Sequence, residues 1–210
     1  MTARASDGRV PGRRGQATRQ RLLECTLAML DTASYRDLKV VDIAREAGTS
    51  PATFYQYFTD VDAAIAELAG DMAADGATRL GGLLEGTRWS GEDAEASVRM
   101  LVTGFLDFWD ANRPLMRVID LKAAEGEGRI RSTRKDLLAG FSNGLAECVQ
   151  RKSLPAAPAN PWAMASVAVT MLVNVAIQRE IFAASEIPDE DMIDAVARLL
   201  LAAVTGTTTG

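Results

Sequence analysis

The chain contains no histidine, and that absence is the most restrictive fact in its composition. Imidazole is the commonest general base near neutral pH and a frequent metal ligand, so triads built on it and His-ligated metal centres are excluded. Cysteine is scarce: Cys25 and Cys148 cannot form a disulfide framework and fit a reduced compartment. Acidic residues are numerous but show no metal-ligand spacing, so neither a metal nor another cofactor is expected. No segment shows the two-residue alternation of half-buried strands, and no internal repeat is found. Arg4, Arg9, Arg13 and Arg14 are not followed by the apolar stretch of a secretory leader, so the expected location is the cytoplasm. The longest uncharged run, 153–178, is interrupted by Pro155, Pro158 and Pro161, then by Ser166, Thr170 and Asn174. Its apolar part falls short of the ~20 residues a bilayer span requires, so it reads as a buried core helix, with no membrane partner.

What the chain does have is enough apolar matter to fold. Over 210 residues, 48% are hydrophobic and 24% charged, which excludes disorder throughout. A chain of this size buries enough surface to be stable without disulfides or a structural metal. The net charge of −5 hides an asymmetry: residues 1–21 carry six arginines against Asp7, while the rest is strongly acidic. An N-terminal arm for a phosphate backbone, or a disordered solubilising tail, both fit that distribution.

Helical periodicity dominates, so the expected fold is all-α. Glycine and proline breaks divide the chain into about nine helices. The first should cover about Ala17–Ala33, with Leu22, Leu23, Thr26, Leu27 and Leu30 on one face, and a short one about Val40–Ala47. Gly48-Thr49-Ser50-Pro51 then supplies a left-handed helix end, an N-cap and a first-turn proline, so helix, tight turn and helix lie close together. A fourth helix should run about Val61–Leu80 and stop at Gly81-Gly82. Ser90-Gly91-Glu92-Asp93 has capping-box form and should open a helix through Trp109. Others are expected at about 114–124, 129–152, 161–184 and 189–204. The division is into a flexible basic arm (1–16), a helix-turn-helix domain (17–60) and a larger body (61–206).

In a helix-turn-helix the two helices cross closely, which requires a small residue at the contact and a glycine in the turn. Ala44 and Gly48 supply these, with Ile43, Ala47 and Phe54 as the small core. At about 100° per residue, Phe54 and Phe58 share one side of the following helix. Ala52, Thr53 and Gln56 lie opposite, a small and polar face suited to a major groove. Tyr55 and Tyr57 flank that face, where phenols can donate to the two phosphate strands and set register. Tyr57 also fits a second role, packing on the first helix.

The segment from Asp42 through Gly48-Thr49-Ser50-Pro51-Ala52-Thr53-Phe54-Tyr55-Gln56-Tyr57-Phe58 resembles the signature of TetR-family transcriptional regulators. The resemblance implies DNA contacts at Thr53, Tyr55 and Tyr57, base or backbone contacts at Gln56, and phosphates met at Lys39 and Arg45; Thr49, Ser50 and Ala52 of the turn and polar face complete the candidate DNA-binding set, with Arg14 and Arg19. It further implies a homodimer, a palindromic double-stranded operator, and a body whose small-molecule ligand alters DNA affinity. One departure stands out: Val61 occupies a position where the family commonly has lysine. Arg13, Arg14, Arg19 and Arg21 are the candidates to replace that contact, the most N-terminal entering a minor groove.

In the body, 161–184 is apolar all round, from Trp162 and Met164 through Met171 to Ile177, as expected of a helix with a pocket on one side and a partner subunit on the other, or of one buried deep in the monomer. Ser166, Thr170, Asn174 and Gln178 recur every four residues along one stripe. Ligand hydrogen bonds, pairing across a dimer and local backbone bonds are all open readings of it. The ligand-pocket candidates are Phe105, Phe108, Trp109, Met116, Ile119, Met171, Asn174 and Gln178, and they favour a hydrophobic effector. Gly104 would admit a ligand or a helix, and Arg129, Arg131, Arg134 and Lys135 read as a solvated face. The sequence is thus read as a ligand-responsive regulator and not an enzyme, a repressor being the favoured role and an activator the alternative. The rival is an all-α small-molecule or lipid carrier, or an enzyme, without DNA binding.

Overall fold

A computed structural model describes residues 12–126, 128–151 and 160–206, with backbone only at 128–131. Regular structure among the described residues is entirely helical. Nine α-helices follow in order: α1 (Arg13–Thr32), α2 (Val40–Glu46), α3 (Pro51–Tyr57), α4 (Val61–Glu85), α5 (Ala94–Ala111), α6 (Arg113–Ala124), α7 (Gly128–Arg151), α8 (Pro161–Ala184) and α9 (Asp189–Thr205). A 3₁₀ turn at Tyr35–Asp37 sits between α1 and α2. The chain forms two compact units, one of residues up to Met72 with Arg113–Thr133, the other of Ala73–Asn112 with Arg134 onward. The unit that holds the helix-turn-helix therefore extends past residue 60 and recruits α6 from the expected body.

In the first unit, α1 begins four residues earlier than expected, so 13–16 are helical and only 1–11 of the expected arm lie outside the described residues. Leu22, Leu23, Thr26 and Leu30 are buried, while Leu27 is exposed on the far side of the stripe. Buried Thr26 stays satisfied by donating to the Leu22 carbonyl at 2.8 Å. After α2, the Gly48 amide donates to the Arg45 carbonyl and the Thr49 amide to the Ala44 carbonyl, a Schellman end with Gly48 at φ +67°. Glycine enters that left-handed conformation without a Cβ clash, which is why the turn is so short. The Ser50 hydroxyl accepts from the Thr53 amide at 3.2 Å, and Pro51 opens α3.

In the second unit, α5, α8 and α9 lie against one another. Phe105 is fully buried between Trp109 and Phe141, with ring centroids 6.1 and 5.2 Å away. Arg179 of α8 joins Asp110 at the end of α5 to Asp189 at the start of α9. Two expectations fail. Gly81-Gly82 does not stop α4, because interior glycines cost only about 1 kcal/mol each and a long helix absorbs them. Nor does a helix open at Ser90: α5 starts at Ala94 with Asp93 as its N-cap residue, whose side chain makes no cap bond and pairs with Arg88 at 2.6 Å. Gly104 faces Leu83, whose Cδ2 lies 2.7 Å from where a Cβ would stand, so the close approach belongs to α4 and not to a ligand.

Candidate nucleic-acid interface

Phe54 and Phe58 anchor α3 from within, both buried with ring centroids 5.4 Å apart, while Tyr55 is edge-on to Phe54. Ala52, Tyr55 and Gln56 are exposed, Thr53 and Tyr57 half-exposed. The small polar face of α3 is therefore outward with a phenol on either side, the arrangement the residue spacing predicts. Thr53 is also held locally, since its hydroxyl lies 3.0 Å from the Ser50 Oγ. Ser50 is a cap first, and its exposed position puts that capped turn on the same surface. Lys39 and Arg45 are exposed around α2, Arg45 in a solvent-facing pair with Asp42 at 2.7 Å. Such a pair contributes little and yields readily to a phosphate. Arg14 is exposed on the first turn of α1.

Arg19 behaves differently from the phosphate contact expected of it. Its side chain is mostly buried, paired with Glu67 of α4, and its guanidinium lies 5.2 Å from the Phe58 ring centroid. A guanidinium already committed to a carboxylate and an aromatic face is a structural brace. Nothing in the local sequence pairs Arg19 with a residue 48 positions on, so spacing alone missed it.

The ligand candidates are divided between the two units. Met116 and Ile119 are buried in α6 of the first unit, whereas Phe105, Phe108 and Trp109 are buried in the second. Met171 and Gln178 are half-buried, and Asn174 is exposed. Asn174 therefore does not face an interior pocket: its Oδ1 accepts from the Gln178 Nε2 at 3.2 Å, and Thr170 donates to the Ser166 carbonyl at 2.8 Å. Both bonds are local, as one of the three readings of the stripe has it. A cavity of about 430 Å³ does open in the first unit, between Leu30, Tyr35, Pro114, Val118 and Leu121, and none of the eight candidates lines it. Among the described residues searched, no cluster of His, Cys, Asp or Glu could hold a metal.

Within its own chain helix α8 is covered on one side only, so it is not a core helix buried all round by one subunit; the open side is the one expected to meet a partner. Ala165, Ala168, Val169, Leu172, Val173 and Ala176 are buried, but Val167 is 67% and Ile181 61% exposed, with Trp162 and Ile177 on the open side too. Against the shortfall expected from the sequence, its 24 residues are long and apolar enough to cross a membrane by length and composition alone, a condition that helices of soluble proteins also meet.

Residues 22–69 match the family described as bacterial regulatory proteins, tetR family, and residues 80–209 match the tetracyclin repressor-like C-terminal domain. The chain belongs to the TetR family. Its fold is shared with a putative TetR-family regulator from Mesorhizobium loti (17% identity, TM-score 0.70, 93% of this chain and 98% of that one). It is also similar to the fatty acid degradation regulator FadR from Bacillus halodurans (16%, 0.65, 92% and 97%). A TetR-family regulator from Streptomyces coelicolor follows (16%, 0.67, 91% and 82%). As a TetR-family protein the chain is a DNA-binding transcriptional regulator and not an enzyme, and α2 with α3 is its helix-turn-helix.

Proposed function

We propose that the protein is a cytoplasmic, homodimeric repressor that leaves a palindromic operator when a hydrophobic small molecule binds its body. The observation that carries the DNA part is the outward α3 face: Thr53 and Gln56 between two phenols, backed by two buried phenylalanines. Gln56 reads a base edge, a bidentate pair with adenine being the natural match for its amide. Tyr55, Tyr57, Thr49, Lys39, Arg45 and Arg14 meet phosphates and fix register.

The uncovered apolar side of α8 supports the dimer. Val167, Ile177 and Ile181 of α8 share one face with the exposed Thr170 and Asn174, and their apolar surface would stay in water unless a second copy covered it. A two-fold dimer sets two α3 helices about 34–36 Å apart for successive major grooves, and an effector that favours another spacing lowers affinity by population shift. The apolar character of the body supports a hydrophobic effector.

The test is fluorescence anisotropy with a duplex selected by the protein from a random-sequence pool, repeated across salt concentrations. A palindromic consensus and a steep salt dependence support the reading. Failure to enrich any sequence, with salt-independent binding, overturns it in favour of a carrier.

A further inference from the structure

The charged group that the interface leaves unexplained lies inside the first unit, at the start of α4. Lys122 of α6 is buried, with 6% of its side chain exposed, a rare state for lysine. Its Nζ donates to the Asp62 Oδ2 at 2.9 Å and lies 4.7 Å from the Tyr35 ring centroid. The Tyr35 hydroxyl donates to the other oxygen of the same carboxylate. Three elements thus converge on one side chain: the 3₁₀ turn after α1, the first turn of α4 and the last turn of α6. At the surface, Arg36 of the same turn pairs with Glu125 just past α6 at 2.7 Å, so turn and helix end are joined twice.

Stability alone does not call for such an arrangement: the Asp62 side chain is 49% exposed, so water screens the attraction, and an apolar side chain of similar volume commonly replaces a buried charge without loss. What the pair does impose is geometry. The ammonium is held where its carboxylate and ring partners are both in place, and a shift of the first turn of α4 or of the 3₁₀ turn breaks one of those contacts. That position is transmitted over a short distance: only Phe58, Thr59 and Asp60 separate α3 from α4, and Asp60 caps α4 by accepting from the Ala63 amide at 2.7 Å. Phe58, the first of those three, is itself buried against Phe54. A shift in the first turn of α4 is therefore carried into α3 and not absorbed by a loop.

We infer that Lys122 is a positioning residue for the recognition helix: by joining Asp62 to Tyr35 it sets the orientation in which α3 meets DNA, without touching DNA itself. The inference rests on the DNA-binding reading of α3. Because α6 belongs to the same compact unit as α3, the clasp acts within that unit.

The test uses the full-length protein and the selected duplex, with a scrambled duplex as the non-specific reference. Lys122→Met should keep the thermal midpoint at or above that of the wild type, yet lose about tenfold or more in affinity for the selected duplex, with little change on the scrambled one. Asp62→Asn in the Lys122→Met background should cause no further loss, since the partners act as one unit. Tyr35→Phe, which keeps the ring and removes one donor, should lower the specific-to-scrambled ratio in the same direction and guards against a Lys122→Met protein that does not fold. Wild-type ratios in both Lys122→Met and Tyr35→Phe, or in Tyr35→Phe alone should Lys122→Met not fold, would overturn the inference while leaving the DNA reading intact. Failure of the wild type to select any duplex removes the DNA reading and this inference with it.

Discussion

The guanidinium of Arg19 lies over the ring of Phe58 and pairs with Glu67, so a residue from the basic N-terminal cluster braces the closing phenylalanine of the recognition helix. Its near neighbour Arg14 is exposed on the first turn of the same helix. The two arginines should separate cleanly in solution. Arg19→Ala should lower stability by about 1–3 kcal/mol and leave the salt slope of DNA binding unchanged. Arg14→Ala should leave stability alone and reduce that slope by about one. Chemical denaturation and salt-titrated anisotropy check both, and a reduced slope for Arg19→Ala would contradict the brace.

On α3, base reading and register have different signatures. Gln56→Ala should cost about 1–3 kcal/mol on the preferred duplex and relax the preference at one position of each half-site. Tyr55→Phe should weaken binding to all duplexes by a similar factor, because a phosphate contact carries no sequence information. Binding to a panel of single-position operator variants distinguishes the two patterns.

The open side of α8 predicts the effect of charge placed on it. Val167→Glu combined with Ile181→Glu should give a folded monomer by sedimentation, with helical content retained, since neither side chain is in the core of its own unit. Specific DNA affinity should fall with it, as one half-site replaces two. A double variant that still sediments as a dimer would move the interface elsewhere.

Acid should loosen both units through identified carboxylates. In Asp189 the hydrogen bond from Arg179, aided by its charge, outweighs slight burial and holds the carboxyl below its ordinary value of 3.8. In Asp62 burial pushes up, but hydrogen bonds from Tyr35 and Lys122 and the charge of Lys122 outweigh it, so this group too lies low. A carboxyl depressed in the folded state contributes stability that is complete above the unfolded value and lost as pH falls through the folded one. Denaturant midpoints should therefore drop as pH falls below about 4. Asp189→Asn should flatten part of that drop; an unchanged pH profile would contradict the assignment.

Much of the first unit was readable from residue order because its signals are local. The Gly48 turn, the Ser50 cap, Pro51 and the spacing of Phe54 and Phe58 all act within a few residues, and each took the predicted place. Helix bounds near Pro161 and Pro188 were legible for the same reason: proline is tolerated at a helix start and not within it. Gly81-Gly82 misled because a glycine pair is only a modest cost to a long helix, whatever its strength as a local marker.

The local sequence determined the helical fold, the turn between α2 and α3, and the outward polar face of the recognition helix, since periodicity and capping act over three or four residues. Only the tertiary structure decided that α6 folds with the DNA-binding unit, that Lys122 is buried against Asp62 and Tyr35, that Arg19 turns inward to Glu67, and that Asn174 turns outward. Those outcomes depend on contacts between residues far apart in the chain, where burial and charge pairing are set by which helices meet.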